Sequence, residues 1–437
     1  MAAAHLRSTS RLWCKRWPQP WWRASSSSCM VRLMSTVPQD TGAPQTPKPA
    51  GALHKSFISQ DPPVHVSGER KRRVLLLCTG GTLTMAPDAT GGLAPVQGAL
   101  ARWLDDIEEL QHPSMPEVCL HEYEPLMDSS DLGPEDWIRV ASDIASNYLH
   151  YDGFVVILGT DTMAFVASAL SFMLENLGKP VILTGSQIPF IEPYNDARRN
   201  LIMAIIFASR DTICEVCIFF NDRLLRGCRT TKVTTHKLSA FDSPNLPPLA
   251  QIGITIEEAP HLALPQPRGA LRVHRSMDTR LLAIRLVPGF DDDVLSKAID
   301  AADSGLKALV IQLYGTGNLP SKKKSLLAAL SNATARGILV VALTQCTTGS
   351  VVLGAYAVGS ALKDAGVCSG GDMTLEAASA KLAYLFGRGD LSPSEVGRLL
   401  KVPLRGEVTP PERYSLRPQS GLVHADAVYA ALALTKG

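Results

Sequence analysis

The stretch Val74-Leu75-Leu76-Leu77-Cys78-Thr79-Gly80-Gly81-Thr82 decides the reading of this chain. An uninterrupted apolar run is what a strand buried on both faces requires. The two glycines behind it let the backbone turn sharply and let a ligand approach with no Cβ in the way. A second stretch repeats the arrangement, with Val155-Val156-Ile157-Leu158 running into Gly159-Thr160-Asp161-Thr162. Each places threonine hydroxyls and backbone N–H groups just past the carboxyl end of a strand, where open α/β sheets bind ligands. Brought together, the two ends supply a hydroxyl nucleophile in Thr82, a second hydroxyl in Thr160, a carboxylate in Asp161 and an oxyanion site at a helix N-terminus. That is equipment for acyl transfer at an amide. Taken singly, each string also has a plainer reading: a simple strand–turn for the first, and a helix cap by Thr160 or Asp161 for the second. Neither has the glycine spacing of a phosphate loop or of a dinucleotide fingerprint.

Outward from these strings, apolar strands alternate with amphipathic helical stretches. Strands are predicted at 73–78, 117–123, 154–158, 180–184 and 215–220, and helices at 97–110, 134–149, 161–176 and 194–209. The near-continuous apolar face of the third helix (Met163, Phe165, Val166, Leu170, Phe172, Met173, Leu174) predicts packing against the sheet. Residues 243–272 are dense in proline, including Pro244-Asn245-Leu246-Pro247-Pro248 and Pro265-Gln266-Pro267, which breaks regular structure. A second alternating set follows, with strands near 281–287, 307–312 and 338–343 and helices near 293–303, 321–335, 355–365, 373–386 and 392–400. The alanine-rich stretch His424–Lys436 reads as a last helix. The expected fold class is therefore α/β. A larger N-terminal domain with a mostly parallel sheet spans 73–257, a linker covers 258–275, and a smaller C-terminal α/β domain covers 276–437, with the site at the domain junction.

Composition narrows the function. The 437 residues are 46% apolar and 19% charged, enough to bury two cores. The net charge is +2, and part of the positive charge lies in the first 39 residues, so the composition gives no reason to expect nucleic-acid or anionic-membrane binding. No apolar run approaches the ~18–20 residues of a membrane helix. Arg7, Arg11, Lys15, Arg16, Arg23 and Arg32 precede the first acid, Asp40, and Ser25 to Ser28 lie among them. That is the composition of an organelle transit peptide, with a disordered tail as the plainer reading. It is taken here as a mitochondrial presequence, ahead of a chloroplast one, over residues 1–34 with cleavage after Met34, and the expected location is the mitochondrial matrix. Residues 35–72, rich in proline, glycine and serine at their centre, read as linker. Cys214 and Cys217 form a C-x-x-C at the start of an apolar strand, with no second pair or histidine at zinc spacing, so no metal is assigned to them.

Two further segments carry polar groups to the same sheet edge. Asp128-Ser129-Ser130-Asp131 follows the strand 117–123 and could bind the α-amino and α-carboxylate groups of an amino acid; the bland alternative is a helix cap before Pro134-Glu135-Asp136. Arg229-Thr230-Thr231-Lys232 follows the strand 215–220. A lysine desolvated beside a threonine hydroxyl can act as a base, and the alternative is a solvated basic loop.

The full pattern resembles the bacterial-type L-asparaginases, and most of all their cytoplasmic type I branch. The matching strings are Thr79-Gly80-Gly81-Thr82, His121-Glu122-Tyr123 with Leu126-Met127-Asp128-Ser129-Ser130-Asp131, and Gly159-Thr160-Asp161-Thr162-Met163-Ala164. They continue with Thr184-Gly185-Ser186-Gln187-Ile188-Pro189, Arg226-Gly227-Cys228-Arg229-Thr230-Thr231-Lys232, Tyr314-Gly315-Thr316-Gly317-Asn318 and Leu343-Thr344-Gln345-Cys346. The resemblance covers roughly residues 73–415. It implies that Thr82 is the nucleophile of an acyl-enzyme, that Lys232 and Asp161 activate the Thr160 hydroxyl, and that Asp128, Ser129 and Ser130 bind L-asparagine with Thr160 and Asp161. It implies no metal or organic cofactor, and a homodimer or homotetramer. Two departures are visible. The loop Met85–Pro95 lacks the tyrosine that family members often carry there, with Leu93 near its place, and Gln312 stands where an arginine is expected before Tyr314. Two other classes stand beside the hydrolase: the amide-cleaving subunit of a tRNA amidotransferase, which needs an additional nucleic-acid-facing domain, and a catalytically silent asparagine sensor.

Overall fold

The computed structural model describes residues 70–88, 91–301, 305–320, 324–353 and 357–410. The expected presequence, nearly all of the expected linker 35–72 and the helix expected over His424–Lys436 lie outside the described residues. The first sheet holds β1 (Arg73–Gly80), β2 (Glu117–Met127), β3 (Gly153–Ile157), β4 (Val181–Thr184), β5 (Val216–Phe220), β6 (Arg223–Arg226), β7 (Ala250–Ile252) and β8 (Ile256–Glu258). Their spatial order is β8-β7-β6-β5-β4-β3-β1-β2. The five strands from β2 to β5 pair in parallel, and β6, β7 and β8 continue the sheet antiparallel. β1 is central, and its apolar run serves both faces. Val74, Leu76 and Cys78 pack with Leu100 and Ile205 on one side, Leu75 and Leu77 with Ile144 and Phe172 on the other.

Helices α1 (Ala99–Asp105), α2 (Pro134–Ser146), α3 (Met163–Met173) and α4 (Ala197–Ala208) cover those faces. α2 starts where Pro134 occupies the first turn and the Gly133 N–H donates to Asp136 Oδ2 at 2.9 Å. Every residue of α3 except Phe165 is buried, because the helix is covered on both sides rather than one. Behind it lies the second lobe, a parallel sheet of β9 (Leu281–Arg285), β10 (Ala308–Leu313), β11 (Leu339–Thr344) and β12 (Cys368–Ser369) in that order. Helices α5 (Asp292–Ala301), α6 (Lys324–Ala335), α7 (Ala357–Asp364), α8 (Leu375–Gly387) and α9 (Pro393–Leu400) complete it. One apolar cluster runs through both lobes, and at its centre the Phe172 ring of α3 stacks on Tyr384 of α8 with centroids 5.8 Å apart.

The differences from the sequence reading are local. The predicted helix 97–110 is split: α1 stops at Asp105, Ile107 turns extended with its side chain fully buried, and a 3-10 turn follows at Glu108–Gln111. Burial of Ile107 outweighs helical continuity there. The proline-dense stretch holds two strands of three residues each, β7 and β8, which sit at the sheet edge where short strands flanked by Pro248 and Pro260 cost little. The helix predicted from residue 161 starts at Met163 with Thr162 before it, so neither Thr160 nor Asp161 caps it.

Candidate active site

Three strand ends, those of β1, β2 and β3, meet at the carboxyl edge of the first sheet, and glycines set how closely. Gly80, at φ 130°, lies so near Met127 at the end of β2 that a Cβ on it would fall 2.4 Å from the Met127 carbonyl oxygen. Gly81, at φ 90°, rests on the end of β3, where a Cβ would fall 2.2 Å from the Gly159 nitrogen. Gly159 in turn covers Ser129, since a Cβ there would sit 2.5 Å from Ser129 Oγ. The residues following these contacts, Thr82, Thr160 and Ser130, are therefore gathered by close packing of glycine backbone on its neighbours. The sequence strings supply the required residue type at each contact point.

The threonines of the strings divide by role. Thr79 Oγ1 donates to the Ile157 carbonyl at 3.2 Å, Thr84 Oγ1 to the Gly81 carbonyl at 2.9 Å and Thr162 Oγ1 to the Ser129 carbonyl at 2.6 Å. These three hydroxyls stitch the loops together. Thr82 Oγ1 makes no hydrogen bond to any described residue and is half-buried in its 3-10 turn, Thr82–Thr84. Thr160 is buried, accepts from Lys232 Nζ at 2.8 Å and donates to Gln187 Oε1 at 3.3 Å. Lys232 Nζ also donates to Asp161 Oδ1 at 2.7 Å; the lysine side chain is 17% exposed and the aspartate 69%. The sequence alternative of a solvated basic loop does not hold. Arg229 is buried against Asp372 at 2.7 Å, and Lys232 is committed to the Thr160–Asp161 pair. Burial works to raise the Asp372 carboxyl, but the charge of Arg229 and the hydrogen bonds of Thr409 hold it below the usual carboxylate range.

Asp128 Oδ1 accepts from both the Ser130 N–H and the Ser130 Oγ at 2.9 Å, so this segment is held as a tight turn. Asp128 and Ser130 are exposed on it and Ser129 is buried beneath Gly159. The cap before α2 comes from Asp136, not from this segment. Sequence reasoning gave no role to Gln187, although its string was part of the resemblance. It touches Thr160, and its loop is fixed by Asp196, which accepts from the N–H groups of Gln187 and Ile188. The tyrosine-free loop is a hairpin, Met85–Pro87 against Leu93–Pro95, with Leu93 51% exposed. The hydroxyl of Tyr123 is turned away, donating to Asp143 Oδ2 at 2.5 Å. Gln312 and Cys346 lie at the carboxyl edge of the second sheet. Cys214 and Cys217 are free thiols, and burial pushes both up.

The chain also matches known proteins over most of its length. Residues 73–262 match the family described as Asparaginase, N-terminal, and residues 280–400 match the Glutaminase/Asparaginase C-terminal domain. The chain is 46% identical over 341 residues to L-asparaginase 1 of Escherichia coli (strain K12), covering 78% of this chain and 99% of that protein. It is 42% identical to the 60 kDa lysophospholipase of Homo sapiens, spanning 63% of that longer protein. Among solved structures, L-asparaginase I from Vibrio cholerae matches with a TM-score of 0.72 and 44% identity, over 78% of this chain and 100% of that one. With both family domains in order and the strand ends assembled as described, this chain belongs to the asparaginase family.

Proposed function

We propose that this protein hydrolyses the side-chain amide of L-asparagine to L-aspartate and ammonia through an ester on Thr82. The observation that carries the reading is the division of hydroxyls. Of the threonines gathered at this edge, Thr82 alone has an uncommitted Oγ1 among the described residues, and the glycine before it packs on the glycine before Thr160, whose hydroxyl is already engaged by a lysine. In the reading, Thr82 Oγ attacks the amide carbon. Backbone N–H groups around Thr160 hold the oxyanion, the proton lost by Thr82 passes to the leaving nitrogen, and the C–N bond breaks to release ammonia. Water then adds to the ester. The water proton passes to the group formed by Thr160, Lys232 and Asp161; the bond to Thr82 breaks, the proton returns to Thr82 Oγ and aspartate leaves. The exposed Asp161 carboxylate suits the substrate ammonium group, with Asp128, Ser129 and Ser130 holding the rest of the amino-acid head.

The names of the relatives in Escherichia coli and Thermococcus kodakarensis, both L-asparaginases, support the substrate. Glutamine should be the poorer substrate, since one extra methylene changes the fit by ~1–3 kcal/mol. We further propose a homodimer or homotetramer and residence in the mitochondrial matrix, the latter resting on the basic, acid-free first 39 residues. The test is ammonia release by the purified protein from each amide. Release from asparagine at several times the rate from glutamine is expected. A folded protein that binds asparagine and releases nothing from either would overturn the hydrolase in favour of a sensor.

A further inference from the structure

Lys232 links Thr160 to Asp161, yet it stands on a strand of two residues, Thr231–Lys232, paired only with Phe241–Asp242. A ladder this short does not by itself fix the direction of a long side chain. Neighbours on a strand point to opposite sides. Lys232 faces the first lobe, and Thr231 faces the second, where its Oγ1 donates to Glu376 Oε1 at 2.7 Å. Glu376 sits in the first turn of α8, whose start is held by the Ala377 N–H donating to Thr374 Oγ1 at 3.1 Å. Just upstream, buried Arg229 donates to Asp372 Oδ2 at 2.7 Å, to Thr409 Oγ1 at 2.9 Å and to the Gly406 carbonyl at 2.7 Å. Everything that holds the lysine segment from this side therefore comes from the second lobe.

We propose that Glu376 is a positioning residue for Lys232: acting through the Thr231 hydroxyl, the second lobe sets the angle at which the lysine amine meets Thr160. The proposal rests on the catalytic reading of Lys232 given above. The Arg229 clamp locates the chain, while the Thr231–Glu376 bond fixes rotation of the short strand about its own axis. The lobes are already joined by the Phe172–Tyr384 stack and by the buried Arg229–Asp372 pair, so this half-buried bond is not needed merely to dock them.

The test compares Glu376→Ala, Glu376→Gln and Thr231→Val for kcat, KM and melting temperature, with Lys232→Met alongside. Glu376→Ala and Thr231→Val should each lower kcat about 10- to 100-fold while KM stays within about twofold, as loss of orientation does. The double variant should lose no more than either single one. Glu376→Gln, whose amide oxygen still accepts from Thr231, should regain most of the rate. Wild-type kcat in Thr231→Val, or a Glu376→Gln variant no better than Glu376→Ala, overturns the proposal. If Lys232→Met is silent while Glu376→Ala and Thr231→Val run at the wild-type rate, only the positioning role fails. If Lys232→Met itself turns over normally, the catalytic reading beneath it fails.

Discussion

Gly81 presses on Gly159 so closely that a Cβ on the first would come within 2.2 Å of the backbone nitrogen of the second. This single contact joins the two sequence strings and sets Thr82 beside Thr160. The atom in the way is backbone, which has nowhere to yield, and Gly81 also holds φ 90°. Gly81→Ala therefore incurs strain of ~1–3 kcal/mol and displaces the nucleophile loop. We expect kcat/KM to fall about 100-fold or more while the folded protein persists with a lowered melting temperature, measured by steady-state kinetics and thermal unfolding.

Asp161 separates activity from stability. Its side chain is 69% exposed, so its ion pair with Lys232 contributes only ~0–1 kcal/mol to folding. Its carboxylate nonetheless faces both the lysine and, in our reading, the substrate ammonium group. Asp161→Asn should leave the melting temperature within a few degrees of wild type and lower kcat/KM about 100-fold, with KM raised as well as kcat reduced.

Asp372 gives a pH signature. Its carboxyl is depressed in the folded protein, with Arg229 and Thr409 prevailing over burial. A depressed acid contributes stability that is present above its unfolded pKa, about 3.9, and lost as pH falls through the folded value. Asp372→Asn should therefore be less stable than wild type near neutrality, and the difference should shrink below about pH 4. Chemical unfolding at a series of pH values reads this directly; a difference that grew on acidification would contradict the assignment.

The lobes share one core, and Phe172 is its centre. Truncation to alanine removes the stack on Tyr384 and leaves a cavity in fully buried surroundings, a loss of about 3–5 kcal/mol. Denaturant titration of Phe172→Ala should show that loss, in a single transition if the two lobes unfold together.

Much of this molecule was legible in its sequence, for reasons that differ by element. The apolar runs at 74–77 and 155–158 are continuous because both strands are covered on both faces, and they became β1 and β3. The helical periods at 134–149 and 392–400 were bounded by Pro134 and Pro393 with acids three residues past the cap, and both helices start there. β7 and β8 were hidden because three residues carry no period and prolines flank them. Thr82, Thr160 and Asp161 were visible as residue types behind strand ends. Lys232 is not separable from an ordinary basic loop by its own neighbours; only the family resemblance singled it out, because its partners Thr160 and Asp161 lie 72 and 71 positions away. Gln187 and Glu376 gave no local signal at all, since a glutamine in a loop and a glutamate in a first helical turn are what solvated surfaces also carry.

The central claim is that Thr82 carries the acyl group, and the direct measurement is turnover of asparagine in the presence of hydroxylamine, wild type beside Thr82→Ala. An ester intermediate partitions between water and hydroxylamine, so wild type should form aspartyl hydroxamate together with ammonia, and both should vanish in the variant. Ammonia release by Thr82→Ala at the wild-type rate would contradict the account.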